Sequence, residues 1–204
     1  MKFTSFSIIF LSLFLWSCQS DSGAGSGSLF SSKTKKVVSV DNQKVTFEDQ
    51  STFDFKEGES VIFLIPNAEH IKDSTKSIEA VTLIYEGTQR AESLVNIFKN
   101  ADLTGTLSST QLRSILTVNP LTKDKKIGTF NYSSDTRQRI FDLVFQYNPG
   151  GKYVMVGENN SIPLMIADLT GSEIGDNLPV DTHDKFYVIS GSNPGSCSIN
   201  EFRY

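Results

Sequence analysis

The chain has 204 residues, of which 38% are hydrophobic and 21% charged, with a net charge of −4 and two cysteines. That length and apolar share suffice for one sizeable domain. The acidic balance, without a basic stripe, excludes nucleic acid as an expected partner, and two cysteines do not make a disulfide framework.

The chain starts MKFTSFSIIFLSLFLWSC. Lys2 supplies a positive first segment. Phe6 to Trp16 is an apolar run broken by Ser7 and Ser12, well short of the roughly 20 residues that cross a bilayer as a helix. This order reads as an export signal over residues 1–17. Leu15-Trp16-Ser17-Cys18 resembles the lipobox of bacterial lipoproteins, in a loose form similar to the spirochaetal one. The resemblance implies acylation of the Cys18 thiol and of its new amino group, with palmitate-type chains and the membrane as partner. It also implies a lipid-anchored place in the cell envelope, at the outer membrane. Gln19 to Ser28 is small and polar and reads as a flexible tether, so that residues 29–204 form a single domain. If Cys18 carries lipid, Cys197 has no partner within the chain and reads as a small buried hydrophobe.

Strands are expected at Val37–Val40 and Val45–Phe47, with Asp41-Asn42-Gln43 turning between them, and at Thr52–Phe55. Ser60–Ile65 and Ala80–Tyr85 are short apolar runs of the kind buried on both faces of a sheet. Ala91, Leu94, Val95 and Phe98 then recur at helical spacing, which predicts a helix from about Thr88 to Asn100. Leu112, Ile115 and Leu116 predict a second helix, with Ser108 and Gln111 as its capping box and Pro120 as its limit. Phe130 and Tyr132 alternate with polar neighbours. So do Phe141, Leu143, Phe145 and Tyr147, and the turn Asn148-Pro149-Gly150-Gly151 leads into Lys152–Val156, which together read as a β-hairpin. Ile162–Ile166, Phe186–Ile189 and Ser198–Arg203 are further strand candidates. The pentapeptide ADLTG occurs at Ala101–Gly105 and again at Ala167–Gly171; the poorly matching flanks make it reused turn chemistry rather than a duplication. The expected fold is α+β, a β-rich domain with a helical hairpin at about 88–117; the alternative is a β-sandwich with a helical insertion.

Two segments carry candidate chemistry. Asn100 to Gln111 has oxygen-bearing residues at the spacing of an EF-hand calcium loop, which it resembles: Asn100, Asp102, Thr104, the Thr106 carbonyl, Ser108 and Gln111, with Gly105 at the sharp turn. Only Asp102 is charged, so a plain turn between two helices with Ser108 capping is the expectation, weak calcium binding is the alternative, and no other cofactor is expected. Asp181-Thr182-His183-Asp184 places a histidine between carboxylates, a pattern suited to a metal site or an acid–base pair. The common catalytic signatures are missing. The expected function is therefore a membrane-anchored, non-enzymatic binding or adhesion module of the bacterial envelope, with a protein or host surface as partner. The alternatives are a calcium-binding envelope module and an unrecognised envelope hydrolase built around His183.

Overall fold

The computed structural model describes residues 34–71, 81–172 and 182–204. The signal, Cys18, the tether and Asp181 lie outside these residues.

A small antiparallel sheet comes first: β1 (Val37–Val40), β2 (Lys44–Phe47) and β3 (Thr52–Asp54). The expected turn is present, because the Asp41 carboxylate accepts the backbone N–H groups of Gln43 at 2.8 Å and Lys44 at 2.9 Å. Val37, Val40, Val45 and Phe47 face inward from this sheet.

The main sheet contains β4 (Ser60–Pro66), β5 (Gly105–Ser109), β6 (Thr129–Tyr132), β7 (Lys152–Gly157), β8 (Lys185–Gly191) and β9 (Ser198–Arg203), in the order β6-β5-β7-β4-β8-β9. The first four of that order run parallel; β8 and β9 are antiparallel additions. Every residue of β4 is buried. Its odd-numbered side chains Val61, Phe63 and Ile65 enter one core, and Ile62 and Leu64 enter the other. A continuous apolar run is what a strand covered on both faces requires.

Helices cover both faces. α1 (Tyr85–Ile97) and α2 (Leu112–Lys125) lie on the face shared with the small sheet. α3 (Arg137–Asp142), which continues into a π turn at Leu143–Tyr147, and α4 (Ile162–Thr170) lie on the other. This is a three-layer mixed α/β architecture with a central sheet, not a sandwich.

Several expectations are corrected by this arrangement. The two early helices pack together but do not form a hairpin, because the buried strand β5 runs between them. Residues 141–147 are helical: Ile140, Phe141, Val144 and Phe145 are the buried set, at spacings of one, three and four, while Tyr147 is 74% exposed. β7 therefore has no hairpin partner before it and pairs in parallel with β4 and β5. Ile162–Ile166 is the start of α4, with Pro163 in its first turn, where a missing N–H costs nothing. Residues 81–84 carry only an isolated bridge at Leu83, and the helix begins at Tyr85. Pro120 sits inside α2 rather than ending it. Burial of Val118 and Leu121, on either side of it, holds the helix together. The first ADLTG copy leads into β5 and the second closes α4, with Gly171 as a left-handed cap at φ 70°, so the copies share no structural role.

Candidate functional site

The parallel strands deliver their carboxyl ends to one edge of the sheet, and α2 and α4 begin there. In open α/β sheets this edge is where ligands bind. Gln111 caps α2 with extended backbone and no side-chain hydrogen bond, so the first N–H groups of the helix keep their partial positive charge. A cleft of about 390 Å³ opens at this edge, lined by Ser109 and Gln111 after β5, Tyr132 and Ser133 at the end of β6, Arg137 of α3, Glu158 after β7, and Ser161 and Leu164 at the start of α4.

Two arginines supply charge. Arg113 Nη2 donates to Glu158 Oε2 at 3.3 Å, with side chains 13% and 19% exposed. Arg137 Nε donates to Asp168 Oδ2 at 2.7 Å. The Ser161 hydroxyl accepts the Glu158 N–H and donates back to the Glu158 carbonyl, which fixes the turn carrying the carboxylate. The Tyr132 hydroxyl donates to the Val156 carbonyl at 2.9 Å. Burial pushes its ionisation well above the ordinary tyrosine range, so it remains neutral.

The segment from β5 into α2 carries buried polar atoms without a protein partner: Ser109 Oγ, Gln111 Oε1, Arg113 Nε and Ser114 Oγ. Ser109 is 6% exposed and Ser114 fully buried. Buried polar groups are nearly always hydrogen-bonded, and leaving one unmade costs about 1–3 kcal/mol. These four atoms cluster where β5 turns into α2, and Ser109 and Gln111 of that segment also line the cleft.

The end of β4 stands beside this cleft. The Asn67 N–H donates to the Gly157 carbonyl at 2.9 Å, tying β4 to β7 past their last register pair. The Ala68 N–H donates to Thr117 Oγ1 at 2.9 Å, and that hydroxyl donates to the Arg113 carbonyl at 2.8 Å. His183 Nδ1 lies 2.7 Å from the Asn67 carbonyl, and its ring meets that of His70 edge-on with centroids 5.8 Å apart. The structure thus brings the two histidines together and fixes His183 through a backbone contact. Glu69 binds the Arg90 guanidinium through both oxygens. Burial is the largest single influence and would raise the Glu69 carboxyl, but the hydrogen bonds from Arg90 and a backbone N–H, together with the Arg90 charge, outweigh it and hold the group below the ordinary glutamate value.

The residues of the expected calcium loop are not brought together. Asn100 bridges to Asp41, and Asp102 accepts the Asn42 side-chain amide. Thr104 Oγ1 accepts the Lys152 N–H at 3.0 Å. Thr106 is buried within hydrogen-bonding distance of Thr122 and Thr129, and the Ser108 hydroxyl donates to the Ser109 carbonyl. Residues 105–109 are extended in β5. Alternate residues of a strand lie almost 7 Å apart, so their oxygens do not converge on one ion. Gln111 alone of the set reaches the cleft. Asp184 pairs with Arg203 at 3.6 Å. Cys197 is buried and free, and burial pushes its thiol up to about 11.

No protein-family model matches the sequence, and no curated protein matches it. Solved structures do match. The protein histidine phosphatase SixA complexed with tungstate superposes with a TM-score of 0.55 at 11% identity, covering 70% of this chain and 96% of that one. The fold is similar to that of the histidine phosphatases. A mutant phosphoserine phosphatase from Entamoeba histolytica, in complex with phosphoserine, gives 0.51 at 14% identity, covering 69% of this chain and 94% of that one. A putative alpha-ribazole-5'-P phosphatase from Escherichia coli gives 0.50 at 14% identity, over 71% and 96%. The likeness to the histidine phosphatase fold overturns the expected binding or adhesion module, which rested on the export signal, the tether and the lack of recognisable catalytic motifs. This likeness points to an enzyme fold and lends no support to the lipoprotein and outer-membrane character expected from the start of the chain, which lies outside the described residues.

Arg113, Arg137, Ser109 and Glu158 were not legible as a site, because no short motif joins them. A signal existed in α2. Its inward face is Ser114, Thr117, Val118 and Leu121, and two hydroxyl residues on a buried helical face call for partners at their end of the sheet.

Proposed function

We propose that the chain is a phosphatase that hydrolyses phosphate monoesters in the cleft at the carboxyl ends of β5, β6 and β7. The observation that carries this reading is the group of unpartnered polar atoms where β5 turns into α2, Ser109 Oγ and Arg113 Nε above all, beside the cleft that Ser109 and Glu158 line. Hydroxyl, guanidinium and helix N-terminal N–H groups are all donors. An oxyanion accepts from every one of them, and phosphate and tungstate are tetrahedral oxyanions. The neighbours named for tungstate and phosphoserine complexes support the same ligand class.

In such a cleft Arg113 and Arg137 take the non-bridging phosphoryl oxygens and stabilise the charge that spreads over them in the transition state. Ser109 donates a further hydrogen bond. Water attacks phosphorus, the P–O bond to the alcohol breaks, and Glu158, the carboxylate in the cleft wall, handles the proton.

The test is release of inorganic phosphate from phosphoserine and from aryl phosphates by the purified protein. Arg113→Ala is expected to lower kcat/KM by about 10²–10³-fold, the usual effect of removing one preorganised transition-state donor. Absence of phosphate release across such a panel would refute the assignment.

A further inference from the structure

Arg113 already has an anionic partner, and that partner belongs to the chain. Its contact with Glu158 is a single hydrogen bond of 3.3 Å, long for a charge-assisted pair, and Nε of the same guanidinium is buried without any partner. A guanidinium fork binds an oxyanion best through two parallel N–H groups. Glu158 uses one. A tetrahedral dianion that takes the place of Glu158 at the guanidinium can use both.

The charges around Glu158 decide how it responds to a ligand. Arg113 reaches it from α2. Arg137 of α3 lines the same cleft but is held by Asp168 of α4, and Tyr132 at the end of β6 is neutral. No second cation among the described residues pairs with Glu158 once Arg113 turns to a ligand. A carboxylate and a dianion a few ångströms apart in a half-buried cleft do not both stay ionised.

Resting on the phosphatase reading, we propose that Glu158 is a displaceable counter-ion: an entering phosphoryl dianion takes Arg113 from it, and the released carboxylate takes up a proton. Glu158 is then an acid placed beside the bond to be broken. As water adds to phosphorus and the P–O bond to the alcohol breaks, the Glu158 proton passes to the departing oxygen. The proton of the attacking water leaves with the product phosphate, and the carboxylate returns to Arg113. The ion pair keeps Arg113 neutralised in the empty site and becomes the acid only when substrate is bound.

The measurement is calorimetry of tungstate binding to the full chain near neutral pH, where tungstate is itself a dianion, in buffers of different ionisation enthalpy. The wild type is expected to take up about one proton per tungstate bound. Glu158→Gln, which keeps the shape and removes the competing charge, is expected to take up none and to bind about tenfold tighter. Binding by the wild type without proton uptake, or weaker binding by Glu158→Gln, overturns the proposal. The wild-type measurement alone decides if the variant does not fold. If the wild type does not bind and Glu158→Gln does, the counter-ion role stands; if neither binds, it falls. Proton-linked binding without hydrolysis of any phosphomonoester would remove the phosphatase reading and leave the exchange intact, whereas hydrolysis without linkage would remove the exchange alone.

Discussion

Glu69 and Arg90 show how single residues set the edge of this site. The pair joins the segment after β4 to α1, and Arg90 also donates to the Tyr204 carbonyl at 3.3 Å and lies over its ring at 5.4 Å. The folded Glu69 carboxyl sits below its ordinary value, which is about 4.3 in an unfolded chain. Its contribution to stability is therefore fully present above that pH. It is lost as pH falls through the folded value. Acid unfolding of the wild type is thus expected to include a component below about pH 4 that Glu69→Gln flattens, read as the pH dependence of denaturation midpoints. None of this was visible in the sequence, where Glu69 and Arg90 lie 21 positions apart and no local pattern joins them. Asp41, by contrast, was legible as a turn residue because its partners are its own near neighbours, Gln43 and Lys44.

The elements divide along a similar line. β4 and α1 were readable because burial dictates every position of the first and one face of the second. The segments 141–147 and 162–166 were misread for a physical reason. Phe141, Leu143, Phe145 and Tyr147 satisfy a period of two, and Ile140, Phe141, Val144 and Phe145 satisfy a helical period equally well. Only the tertiary setting, a crossover that must cover one face of a parallel sheet, decides between them. α1 depends on one position where backbone meets backbone. A Cβ built on Gly87 would lie 2.0 Å from the Glu69 carbonyl oxygen, and Glu69 also accepts the Ile84 N–H at 3.1 Å. Gly87→Ala must therefore push the first turn of α1 off the segment after β4. The expected cost is about 1–3 kcal/mol, as for other overpacked sites, measured as a fall in the denaturant midpoint at unchanged slope.

For the whole molecule, the expectation of a mixed chain with both helices and strands held, while their interleaving did not. The sequence shows each element's own pattern but not which strand lies beside which, and in a parallel sheet neighbours are far apart along the chain. The site inherits that property: Ser109 and Arg113 come from the β5–α2 crossover, Arg137 from the one after β6 and Glu158 from the one after β7, so no single local motif could announce them. The position of β7 has a further consequence for biogenesis. β4 and β5 never touch as strands; each pairs with β7, which sits between them and comes after both in the chain. During synthesis the ribosome delivers β4, β5 and β6 before the strand that joins them exists, leaving apolar edges open to other nascent chains. A chain stopped at Gly151 is accordingly expected to aggregate, while one extended through Gly157 and α4 gains a closed parallel core; sedimentation of the two fragments after translation separates these outcomes. Late arrival of its central strand makes this fold an all-or-nothing product of translation.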